Sequence, residues 1–91
     1  MADRIARDLT VHGRVQGVFF RAFVQDAADR AGVAGRAENL GDGTVAVHLE
    51  GEPDAVARVE RACGRGPSGA SVERVDARDG EVEGLSRFSV G

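Results

Sequence analysis

The chemistry this chain can offer is concentrated in one stretch, Gly13, Arg14, Val15, Gln16, Gly17, Val18, Phe19, Phe20 and Arg21. A short glycine-containing loop that opens a helix points several backbone N–H groups into one concavity. The positive end of the helix dipole favours an anion there. The stretch is neither the GxxxxGK[ST] loop nor the GxGxxG fingerprint of nucleotide sites. Taken alone, GxxxG ahead of a helix also describes an ordinary tight turn. Arg21 separates these two readings. A cation in the first helical turn opposes the dipole by roughly a few tenths of a kcal/mol or more, and a bound anion would remove that conflict. Its guanidinium is a planar, permanently charged fork of donors that matches two oxygens of a phosphate.

Asn39 is the second candidate. An asparagine beside a turn is ordinarily there for its backbone tolerance. Here Gly41, Asp42 and Gly43 already supply turn chemistry, which leaves the Asn39 amide free for another task. The remaining polar residues read more plainly. His12 and His48 fall on a sheet face expected to be solvated, and two histidines without a third ligand are surface residues before they are a metal site. Cys63 lies on a helical apolar stripe and behaves as a small hydrophobe. Glu38 and Asp42 are solvated charges near a turn. No Ser/His/Asp or Cys/His constellation is present, and neither a metal nor a cofactor is expected.

These residues need elements to hold them. Residues 8–15 alternate, with Leu9, Val11, Gly13 and Val15 on one face, as a half-buried strand does. The period then changes to three and four, with Phe20, Phe23, Val24, Ala27 and Ala31 forming one stripe on a helix over 19–31 that Gly32 ends. Residues 33–39 form a weaker strand, joined by a hairpin to a clear one at Val45, Val47 and Leu49. Pro53 opens a second helix over 53–63, whose apolar face is Ala55, Val56, Val59, Ala62 and Cys63 and whose stop is Gly64. In a fourth strand over 70–78, Val72 and Val75 break alternation and imply a bulge, and Phe88 and Val90 mark a short last strand.

The order βαββαβ plus a terminal β predicts a ferredoxin-like α+β fold, with two helices on one face of a mainly antiparallel sheet. The other face would carry Thr10, His12, Arg14, Ala46 and His48 to solvent. Right-handed crossover makes strands one and two parallel, so the Gly17 loop and Asn39 leave the sheet at the same end. With strand three between them they stand about 10 Å apart, two strand spacings. That gap suits a phosphate and one water.

Whole-chain properties narrow the classes. The 91 residues allow one domain, 1–91, which buries only about 60 to 65% of its unfolded surface. With a single cysteine there is no internal disulfide to help, so packing must stabilise it. One cysteine and an N-terminal stretch charged from Asp3 fit a cytoplasmic protein without a signal peptide or membrane span. Net charge is −3 and the arginines alternate with acids, which opposes a nucleic-acid partner.

GRVQGVFFR followed by NLGDG resembles the acylphosphatase family, whose signature is GxVQGVxFR. Gly35, Asn39, Asp42, Gly43, Gly51, Gly66, Pro67 and Phe88 extend the resemblance over nearly the whole chain. It departs at Arg36, where members usually carry an aromatic residue, and at Glu38, commonly basic or an amide. The resemblance implies a metal-independent hydrolase of small acyl phosphates. Arg21 would bind phosphate with the backbone amides of Gln16, Gly17, Val18, Phe19 and Phe20, and Asn39 would orient the attacking water. It further implies a monomer without nucleic-acid or membrane partners, for which inorganic phosphate or sulfate is a competitive ligand. The competing expectation is an anion-binding regulatory module on the same scaffold. A mere binder needs the arginine but not the asparagine.

Overall fold

The computed structural model describes residues 3–91. Its elements run β1 Ile5–Arg14, α1 Phe20–Ala31, β2 Ala34–Asn39, β3 Val45–Gly51, α2 Pro53–Arg65, β4 Ser71–Asp79 and β5 Phe88–Val90. The sheet order is β4-β1-β3-β2-β5, antiparallel throughout except for the parallel β2–β5 pair. β3 thus lies between β1 and β2, as the connectivity requires. β1, β2 and β5 all point the same way, so Arg14, Asn39 and Val90 end at one rim.

The two helices bury their stripes against one face of this sheet. Phe20, Val24 and Ala28 from α1 meet Val56, Val59 and Cys63 from α2 over Leu9, Val11, Val45, Val47 and Leu49. Phe23, Ala27 and Ala31, expected in the stripe, pack at its flank, and Ala28 takes the central place. The left-handed Gly32 closes α1, with Val33 donating its N–H to Ala28 O at 2.8 Å. Sealed in apolar surroundings, the Cys63 thiol is pushed up to about 12 and stays protonated.

Three expectations change. β1 begins at Ile5 rather than at residue 8, because Ile5, Ala6 and Arg7 pair with Gly51, Glu50 and Leu49. α2 passes through Gly64 and stops at Gly66, whose N–H donates to Ala62 O. A glycine inside a last turn costs only about 1 kcal/mol against alanine, too little to end a helix whose stripe is already buried. The expected bulge is present: Gly13 faces Val72 while His12 faces Arg74, leaving Glu73 extra. That residue returns Val72 and Val75 to one face. Gly13, at φ 127°, is required there, since a Cβ would stand 2.1 Å from Ser71 O.

The third change concerns the back face. β4 and β5 occupy opposite edges, about 19 Å apart at four strand spacings, and the chain must cross the sheet to connect them. The segment 80–87 does so over the end of β3. His48, expected at the surface, is consequently only 5% exposed and Glu50 is 0% exposed. His12 keeps its expected place, paired with Asp76 Oδ2 at 2.9 Å on the open part of that face.

Candidate active site

At the rim where β1, β2 and β5 end, a cleft of 330 Å³ is lined by Gly17, Phe19, Arg21, Asn39 and Val90, over the Val15 and Phe20 side chains. The loop from β1 enters α1 in an unusual way. Gly17 takes φ 74°, and Phe19, the helix N-cap, takes φ 59° and ψ 27°. A bulky residue in that left-handed conformation costs about 1 to 2 kcal/mol. Ordinarily an N-cap is extended and its side chain accepts a backbone N–H. Phe19 has nothing with which to accept, and no acidic residue stands in the first turn. Among the described residues, no carbonyl accepts from the N–H groups of Gln16, Gly17, Val18, Phe19 or Phe20. The dipole's positive end therefore opens, uncapped, at the cleft.

Arg21 and Asn39, far apart in the chain, both line this cleft. Arg21 is half-buried, and its Nη1 donates to Gly91 O at the end of β5. Asn39 closes β2, opposite Val45. The Gln16 side chain joins the two sides: its Nε2 donates to Leu40 O at 2.8 Å and to Thr44 O at 2.9 Å. Beyond Asn39 the hairpin is braced by Asp42, which accepts from the Thr44 hydroxyl at 2.6 Å and from its N–H at 3.0 Å. Those bonds hold the Asp42 carboxyl below its ordinary range. The Gln16 side chain and Val90 escape sequence reading, because their roles depend on what the hairpin and the last strand bring alongside.

Residues 7–90 match the family profile of acylphosphatase. The chain belongs to the acylphosphatase family. An acylphosphatase of Nocardioides is 56% identical over 87 residues, covering 96% of this chain and 88% of the relative. Among solved structures, the acylphosphatase from Bacillus subtilis superposes with a TM-score of 0.92 at 35% identity, covering 96% and 98% of the two chains. One from Coxiella burnetii gives 0.93 at 34% identity, covering 98% of this chain and 94% of that one. The chain is accordingly an acyl phosphate hydrolase with the ferredoxin-like α+β fold. No helix among the described residues is long and apolar enough to cross a membrane.

The two departures from the acylphosphatase pattern both lie away from the cleft. Glu38 and Arg36 face the back of the sheet, in a groove shared with Asp8, Thr10 and His48. Arg36 makes a paired contact with Glu83, at 2.8 and 3.0 Å, and so ties β2 to the crossing segment.

His48, Glu50 and Glu83 bring three possible ligand atoms within 4.8 Å of one another, a cluster that sequence spacing did not suggest. Most of their capacity is already used. His48 Nδ1 is 2.7 Å from Asp8 Oδ1, and its Nε2 is 2.6 Å from Glu50 Oε2. Glu50 also accepts from the N–H groups of Glu83, Gly84 and Leu85. Burial drives the Glu50 pKa upward, but the His48 bond and these amides overcome it and hold the carboxyl at about 2. Burial likewise lowers the imidazole's pKa, and the carboxylates on both nitrogens outweigh it, leaving His48 above its ordinary value. The cluster is an internal ion network that clamps the crossing segment.

Proposed function

We propose that this chain hydrolyses the carboxyl–phosphate bond with Arg21 and the 16–20 amides holding the phosphate and Asn39 placing the water. The observation that carries this is the single cleft that Arg21 and Asn39 share, beside an uncapped helix N-terminus. Phosphoryl transfer depends on positioning and charge stabilisation more than on covalent help. The guanidinium and the amides neutralise the three phosphoryl oxygens, and charge developing there in the transition state meets donors already in place. Water attacks phosphorus in line, the P–O bond to the acyl group breaks, and the electron pair leaves on a carboxylate. A carboxylate is stable without a proton, so no general acid is needed. The attacking water's proton passes to a phosphate oxygen or to solvent.

Release of phosphate from acetyl or benzoyl phosphate tests this reading. Arg21 contacts phosphate in both ground and transition states, so Arg21→Gln should raise KM, lower kcat and abolish the phosphate-induced rise in melting temperature. Asn39→Ala should lower kcat by about 10² to 10³, while inhibition by inorganic phosphate stays nearly constant. A folded Asn39→Ala that retains wild-type kcat removes the water-positioning role. EDTA should leave the rate unchanged; loss in EDTA restored by one divalent ion would contradict the metal-free mechanism.

A further inference from the structure

Phe19 is 85% exposed and is the one phenylalanine outside the apolar core, which Phe20 and Phe88 enter and Phe23 flanks. It is also the single non-glycine residue with positive φ among those described. The fold gains nothing from this ring: a smaller or polar residue would take the left-handed conformation with less strain and expose less apolar surface. Its position is specific, however. Phe19 lines the cleft of Arg21 and Asn39, and Val90, 42% exposed, lines it too from β5. Ala22, one helical turn on from Phe19, completes an apolar wall, and among the described residues Arg21 is the only charged one of the lining.

We infer that Phe19 and Val90 form an acyl subsite that selects acyl phosphates whose organic part is apolar, aromatic above all. This rests on the acyl phosphate reading of the cleft. A ligand held there must present one anionic head to Arg21 and an uncharged remainder to Phe19, Ala22 and Val90. Among the described residues no second cation lines the cleft to receive an anionic tail. The volume of 330 Å³ is at the small end of ligand sites, which run roughly 300 to 1,000 Å³. Because the ring is solvent-exposed without a substrate, covering it with an aromatic acyl group removes two apolar surfaces from water at once.

The test compares benzoyl with acetyl phosphate, and phenylphosphonate with methylphosphonate as unreactive probes. Phe19→Asn keeps a residue that tolerates left-handed φ but removes the apolar face, and Phe19→Leu keeps the apolar face. Phe19→Asn should lower kcat/KM for benzoyl phosphate roughly tenfold more than it lowers kcat/KM for acetyl phosphate. Phe19→Leu should retain most of the benzoyl preference, and Val90→Ser should weaken it independently. Wild-type protein should bind phenylphosphonate more tightly than methylphosphonate, and Phe19→Asn should not. Equal binding of the two phosphonates by the wild type, or an equal loss for both substrates in Phe19→Asn, overturns the subsite. Should neither acyl phosphate be hydrolysed while the phosphonate preference holds, the subsite stands and the hydrolytic mechanism falls.

Discussion

Gln16 shows how much one side chain can contribute without touching a substrate. Its amide spans from the anion loop to the carbonyls of Leu40 and Thr44, on either side of the hairpin turn that follows Asn39. Two hydrogen bonds of this kind contribute about 1 to 3 kcal/mol together. Gln16→Ala should lose that much stability in urea unfolding and lower kcat/KM about tenfold, because the loop and Asn39 no longer share a fixed spacing. A variant with the stability loss but wild-type kinetics would make Gln16 structural only. The candidate site residues that stand out in the sequence are those whose type conflicts with their place. Arg21 opposes a helix dipole, and Asn39 is superfluous to a turn that Gly41, Asp42 and Gly43 already build. The Gln16 side chain and Val90 conflict with nothing locally, and what they do depends on what they reach.

The crossing segment 80–87 is the element that sequence periodicity does not describe, since it is neither strand nor helix. It is held by Glu50, whose two oxygens take the N–H groups of Glu83, Gly84 and Leu85, and by the Arg36–Glu83 pair. It then delivers β5 to β2, so that Val90 reaches the cleft and Gly91 O meets Arg21. Removing one member of a buried ion pair costs about 3 to 5 kcal/mol, and Glu50→Ala should approach that loss. Amide exchange should quicken at 83–85 and 88–90 well before it does in β1 and β3, which pair with each other independently. Uniform acceleration across the sheet would mean that the segment is not a separable clamp. Regular elements are legible because burial imposes a period on them, as with α1, β3 and the Val72/Val75 break. A clamp is legible only once the strand order shows which face the connection must cross. His48 follows the alternation of β3 onto the back face, and the segment 80–87 that buries it there leaves no trace in that alternation.

At the scale of the whole molecule, the His48 network links stability to pH, and the sign follows from its hydrogen bonding. With carboxylate oxygens 2.7 and 2.6 Å from its two ring nitrogens, the surroundings favour the doubly protonated imidazole, because a neutral ring would turn a lone pair toward one carboxylate. Its folded pKa is raised above the ordinary 6.5. The associated stability is therefore complete below pH 6.5 and is lost as pH rises through the folded value. Glu50 acts in the opposite sense. Its pKa is lowered from 4.5 to about 2, so its contribution is complete above pH 4.5 and fades as pH falls toward 2. The two windows overlap between about 4.5 and 6.5, where the network contributes most. Comparing unfolding free energies of wild type and His48→Gln from pH 5 to pH 9 isolates this term from the other titrations. The gap between the two proteins should be widest near pH 5 to 6 and should narrow above pH 6.5, by no more than about 1.4 kcal/mol per pH unit for one proton. A gap that stays constant across that range would mean that the folded and unfolded states hold the His48 proton equally and that the clamp on segment 80–87 gains nothing from an imidazolium.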